Sequence, residues 1–104
     1  DFISTMNQYY PGFMAQEFKP GKFDETCQGT VPLCLQIIAH ATCFEDAIRR
    51  AISWGGDSDT IGAIVGSIAE ARWGVPDNIY SFTLGYLHFD MLNVISDFNK
   101  LFII

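Results

Sequence analysis

Apolar residues recur along this chain with a period near 3.6, and no segment alternates with period two. The stretch "FEDAIRRAISW" shows it most clearly. Phe44, Ala47, Ile48, Ala51 and Ile52 fall at i, i+3, i+4, i+7 and i+8, one face of an α-helix. The opposite face carries Glu45 with Arg49 and Asp46 with Arg50, each acid four residues before its base. Thr42-Cys43-Phe44-Glu45 has the T-x-x-E form of a capping box and Gly55 ends the run, which predicts a helix over 43–54. Upstream, Pro32 suits a first turn and "VPLCLQIIAHA" is apolar nearly all round, with Gln36 and His40 its polar stripe. That predicts a largely buried helix over 31–41. Downstream, Ile61, Ile64, Val65 and Ile68 fill one side of a helix over 59–73, while Gly62, Gly66 and Ala69 leave another side open to a neighbouring backbone.

Gly74 and Pro76 close that helix. In the tail, Ile79, Phe82 and Tyr86, then Met91, Leu92, Ile95, Phe98 and Phe102, keep helical spacing over 77–102, with Asp90 a break or cap between two short helices. The Phe and Met positions there are expected in the core. Residues 1–10 read as the end of a helix. Residues 11–29 hold two Pro-Gly dipeptides and no period, an ordered loop expected to be anchored by Phe13, Phe18 and Phe23. The fold class is all-α, one domain in 104 residues.

Composition narrows the function. The chain is 49% hydrophobic, enough to build a core. A net charge of −6 with six Lys and Arg argues against nucleic acid as a partner. No apolar run approaches the roughly 18 residues that span a bilayer, and no signal peptide is visible, so no membrane partner is expected. Cys27, Cys34 and Cys43 are odd in number and lack metal-site spacing, which suits a reducing, cytoplasmic setting. The chain opens at Asp1 without an initiator Met, as a piece of a longer protein or a processed start would.

The candidate chemistry lies in "SWGGDSDTIGAIVGS", residues 53–67. Asp57, Ser58 or Asp59 can cap the following helix, and acids near its start suit the helix dipole. One cap suffices, yet Asp57, Ser58, Asp59 and Thr60 put four oxygen-bearing side chains in a row. A hard divalent ion such as Mg²⁺ would use Asp57, Asp59 and the Thr60 hydroxyl, with further ligands from water, substrate or other protein groups. An EF-hand loop beginning at Asp57 would meet Ile61 at its fifth position and Ile68 where a bidentate Glu belongs. A glycosidase acid pair stands about 5–9.5 Å apart across a bond, which two Asp on one tight turn suit poorly.

The stretch "FEDAIRRAISWGGDSDTIGAIVGSIAEARWGVP" resembles the C-terminal signature of the ADP-ribosylglycohydrolase family, with its GGDxDT motif at 55–60 and the closing Gly74 and Pro76. "CQGTVPLCLQ" fits the run-in, so the resemblance is strong over 27–76. It implies an all-α domain of which this chain is the C-terminal part, with two Mg²⁺ ions in a cleft. Asp57, Asp59 and Thr60 would be metal ligands from one half of the site. The other half, an acidic cluster near the family's N-terminus, does not occur in this sequence, and the missing part of the domain or a partner chain would supply it. The implied activity is metal-dependent hydrolysis at the anomeric carbon, removing ADP-ribose from a modified protein or small molecule. Two other readings stand beside it: a non-catalytic relative like the family's lens crystallins, and a generic divalent-ion-binding helical module. Gln28, Thr30 and Trp54 are candidates to face the substrate. His40 and His88 read as hydrogen-bonded core residues, and no general acid or base can be assigned.

Overall fold

The computed structural model describes residues 1–102. Six α-helices and no strand form among them: α1 Phe2–Tyr9, α2 Cys27–His40, α3 Phe44–Trp54, α4 Ser58–Trp73, α5 Asp77–Leu84 and α6 Phe89–Phe102. A 3₁₀ turn over Phe13–Ala15 follows α1. None of the described helices is long and apolar enough to cross a membrane. The chain divides into two units, Asp1–Gly74 and Val75–Ile104.

In the first unit α2, α3 and α4 share one core. Leu33, Cys34, Ile37 and Ile38 of α2 meet Phe44, Ala47 and Ala51 of α3 and Ile61, Val65 and Ala69 of α4, all buried. Burial pushes the Cys34 thiol up to about 11, which keeps it an inert core group. The small side of α4 is filled otherwise than expected. The side chains of Ile52 and Ile48 on α3 lie over Gly62 and Gly66, so branched side chains, rather than a bare backbone, take that space.

Helix α2 starts at Cys27, earlier than the expected 31. Thr26 is its N-cap, accepting the Gly29 N–H at 3.1 Å, and Asp24 braces Thr26 in turn. Pro32 therefore sits inside the helix, where its missing N–H leaves the Gln28 carbonyl without a ladder partner. The cap of α3 is also displaced by one residue from the expected box. Cys43 Sγ accepts the Asp46 N–H at 3.4 Å, and Asp46 accepts the Thr42 N–H at 2.9 Å, while Glu45 is drawn to Arg49.

The long connection into α2 is pinned at one end by Phe13, fully buried. Gln36 fastens it further, its Nε2 donating to the Phe13 and Gln16 carbonyls at 2.7 Å each. Phe18 is half-buried, whereas Phe23 is exposed and anchors nothing. Arg72 lies over the Phe2 ring at 5.1 Å, tying α4 to α1.

In the second unit no residue of α5 or α6 is buried. Two short helices cannot enclose a side chain between them, so Phe82, Met91 and Phe98 are exposed rather than core. The expected break near Asp90 is a turn ending at His88, whose Nδ1 accepts the Asp90 N–H at 3.3 Å. His88 and His40 are both exposed, not core residues.

Gln36→Leu strands two carbonyls of the connection. Urea denaturation should show a loss of about 1–3 kcal/mol, against under about 0.5 kcal/mol for Gln8→Leu on the exposed face of α1.

Candidate functional site

Helix α3 runs into α4 through Gly55, Gly56 and Asp57, a connection too short for anything but a tight reversal. Gly55 and Gly56 have φ of 81° and 64°, the left-handed region that side-chain-bearing residues avoid. A second backbone presses on the same point. The Gly21 N–H donates to the Trp54 carbonyl at 2.6 Å. A Cβ on Gly56 would stand 2.7 Å from the Lys22 carbonyl oxygen, and one on Gly55 3.2 Å from Gly21 Cα. Conformation and space both demand glycine here.

This reversal aims the start of α4. Asp57 is the N-cap by position, and its carbonyl accepts the Ile61 N–H at 3.0 Å. Its carboxyl, half-buried, caps nothing: no first-turn N–H reaches it. Asp59 takes the neighbouring Thr60 N–H, at 2.9 Å. The adjacent Asp57 carboxyl, then backbone N–H groups of Thr60 and Asp59, hold the Asp59 carboxyl below its ordinary range. Asp57 and Asp59 are thus brought side by side, and Thr60 follows them, exposed on the first turn. Among the described residues no group of three or more His, Cys, Asp or Glu converges to hold a metal ion, at this turn or at any other place.

Beside the reversal lies a groove of about 400 Å³ between the connection and Trp54, lined by Gln16, Lys19, Lys22, Asp24 and Gln28 among others. Two of the three expected substrate-facing residues, Gln28 and Trp54, share it. Thr30 does not: it is buried, its hydroxyl donating to the Asp24 carbonyl at 2.9 Å, so it fixes the wall from behind. The Thr26 hydroxyl and N–H, both donating to the Asp24 carboxylate, hold it below its ordinary range, with Lys22 adding to this. The lysines and Gln16 escaped the sequence reading. Their signal was "KPGK" at 19–22, two cations around a Pro-Gly turn in a chain with few.

The family model for ADP-ribosylglycohydrolase matches residues 5–95. The chain belongs to the ADP-ribosylglycohydrolase family. The match reaches from α1 into α6, well beyond the 27–76 that carried the resemblance in sequence. No curated protein and no solved structure matches the chain. The all-α architecture agrees with that family, whose members act on ADP-ribosylated substrates as hydrolases.

Gly56→Ala combines a strained φ with collision against Lys22. Gly12 has φ of 77° but open space around it. In parallel chemical denaturation Gly12→Ala should lose about 1–2 kcal/mol and Gly56→Ala distinctly more.

Proposed function

We propose that this chain carries half of the metal site of an ADP-ribosylglycohydrolase, with Asp57, Asp59 and Thr60 as its ligands to Mg²⁺. The observation that supports it is the Asp57 carboxyl, which occupies the capping position without capping and lies instead against Asp59. Two carboxyl groups side by side share a proton through a hydrogen bond, as Asp57 and Asp59 do here, and a bound cation would take the place of that proton. The donor set, two carboxylates and a hydroxyl, suits a hard ion and would be a poor site for a soft one.

A near-octahedral ion needs more oxygens than this turn offers. Two ions, as the family resemblance implies, need more still. The rest would come from water, from substrate, and from the remaining part of the domain or a partner chain. The exposed apolar side chains of α5 and α6 suit a chain that meets such a partner. Three free cysteines suit a cytoplasmic setting.

The substrate in this reading is ADP-ribose joined to a protein or small molecule, cleaved at the anomeric carbon. Bound Mg²⁺ would supply Lewis-acid polarisation and an activated water. This chain's own residues do the holding. Asp57 and Asp59 fix the metal, the Gly55-Gly56 reversal fixes Asp57, and Gln28 and Trp54 offer a polar and a flat surface to the ligand in the groove next to it.

Calorimetric titration of Mg²⁺ into the chain with ADP-ribose present should give a binding heat that Asp57→Ala/Asp59→Ala abolishes. The complete domain should then release free ADP-ribose from an ADP-ribosylated protein, at least about a hundredfold more slowly in the variant. Retained Mg²⁺ binding, or retained release, in the variant overturns the assignment.

A further inference from the structure

Residues 19–22 form a β-turn with Pro20 at its second position and Gly21, φ 79°, at its third, closed by the Lys22 N–H donating to the Lys19 carbonyl at 3.3 Å. The Cα atoms at the two ends of such a turn lie within about 7 Å, so Lys19 and Lys22 spring from neighbouring points of the backbone. Both line the groove. The turn is not free to drift, because the Gly21 N–H is bonded to the Trp54 carbonyl at the base of the Asp57 turn.

Charge makes the pairing pointed. The chain has six cationic side chains against twelve acids. Arg49 and Arg50 are paired with Glu45 and Asp46, and Arg72 is held between the Phe2 and Trp73 rings. Lys19 and Lys22 form no ion pair among the described residues, yet they are the two set side by side. Of the acids in the same groove, Asp24 takes the Thr26 hydroxyl and N–H and feels the Lys22 charge without a salt bridge to it, and Glu17 is the other carboxylate at the wall. Two adjacent cations repel, and an anion between them relieves that repulsion.

We propose that the Lys19–Lys22 turn binds the phosphate groups of the substrate, a diphosphate ester lying in the groove along Trp54. This deepens the reading above and rests on it for the identity of the ester. The Asp57 turn and the lysine turn, joined by one backbone hydrogen bond, then present a seat for a cation and a seat for an anion at a fixed separation. A ligand carrying both a diphosphate and metal-binding ribose hydroxyls can fill both.

The test uses Trp54 fluorescence in a Trp73→Phe background, without divalent metal, with ADP, inorganic pyrophosphate and adenosine as probes. ADP and pyrophosphate should bind, adenosine at least about tenfold more weakly than ADP. Lys19→Gln/Lys22→Gln should weaken ADP binding at least about tenfold and leave adenosine unchanged. Arg49→Gln/Lys100→Gln, with the same change in net charge at two residues that do not line the groove, should leave ADP binding as it was. Absence of ADP binding, or equal ADP affinity in the lysine variant, overturns the proposal. A lysine effect alongside failure of Mg²⁺ binding would sink the metal assignment and leave the phosphate seat standing. The converse result would sink the phosphate seat alone.

Discussion

The contact on which the first unit depends is a backbone meeting a backbone. The Gly21–Lys22 peptide lies against Trp54, Gly55 and Gly56 so closely that no side chain fits between them, and the Gly21 N–H closes on the Trp54 carbonyl. That approach does three things at once. It ends α3, it fixes the direction in which α4 starts, and it holds the long connection as one wall of a groove. Any residue but glycine at position 56 would part the two chains and lose all three.

From this follows the disposition of charge. Helix α4 begins at Asp57, whose side chain takes none of the helix N–H groups although Asp in that place ordinarily caps, while Asp59 takes the Thr60 N–H. On the other side of the same contact stand two lysines at the ends of one turn. No buried side-chain nitrogen or oxygen lacks a partner among the described residues. The Asp57 carboxyl makes no capping bond beside the reversal, and Lys19 and Lys22 line the groove next to it. The family to which the chain belongs acts on ADP-ribosylated substrates, and the ligand proposed for these groups is of that kind.

Much of this was legible in the sequence, and the failures have local causes. Helix α3 came out almost to the residue because its apolar face and both acid–base pairs share one period. The start of α2 was misjudged because Pro32 resembles a first-turn proline, while the true start, Asp24 bracing Thr26, lies in polar side chains that carry no period. The α3 cap slipped by one because Glu45 and Asp46 competed for two tasks, and Arg49 took Glu45. Phe23 and the aromatic residues of α5 and α6 were assigned to a core on hydrophobicity alone, which says that a side chain prefers burial and not that something covers it. Of the candidate residues read from the sequence, Asp57 and Asp59 lie side by side and Gln28 and Trp54 share the groove. Thr30 proved to be a buried brace, and the lysine turn was invisible until its fold set it beside Trp54.

The central claim is that the Asp57 carboxylate serves a bound cation and not the helix. It is tested most directly by the stability of Asp57→Ala relative to the unaltered chain, measured by urea denaturation in EDTA and again in excess Mg²⁺. The account requires a difference below about 0.5 kcal/mol in EDTA that widens as Mg²⁺ is added, since only the unaltered chain gains from binding. A loss of about 1 kcal/mol already complete in EDTA and indifferent to Mg²⁺ would mark Asp57 as an ordinary cap and contradict it.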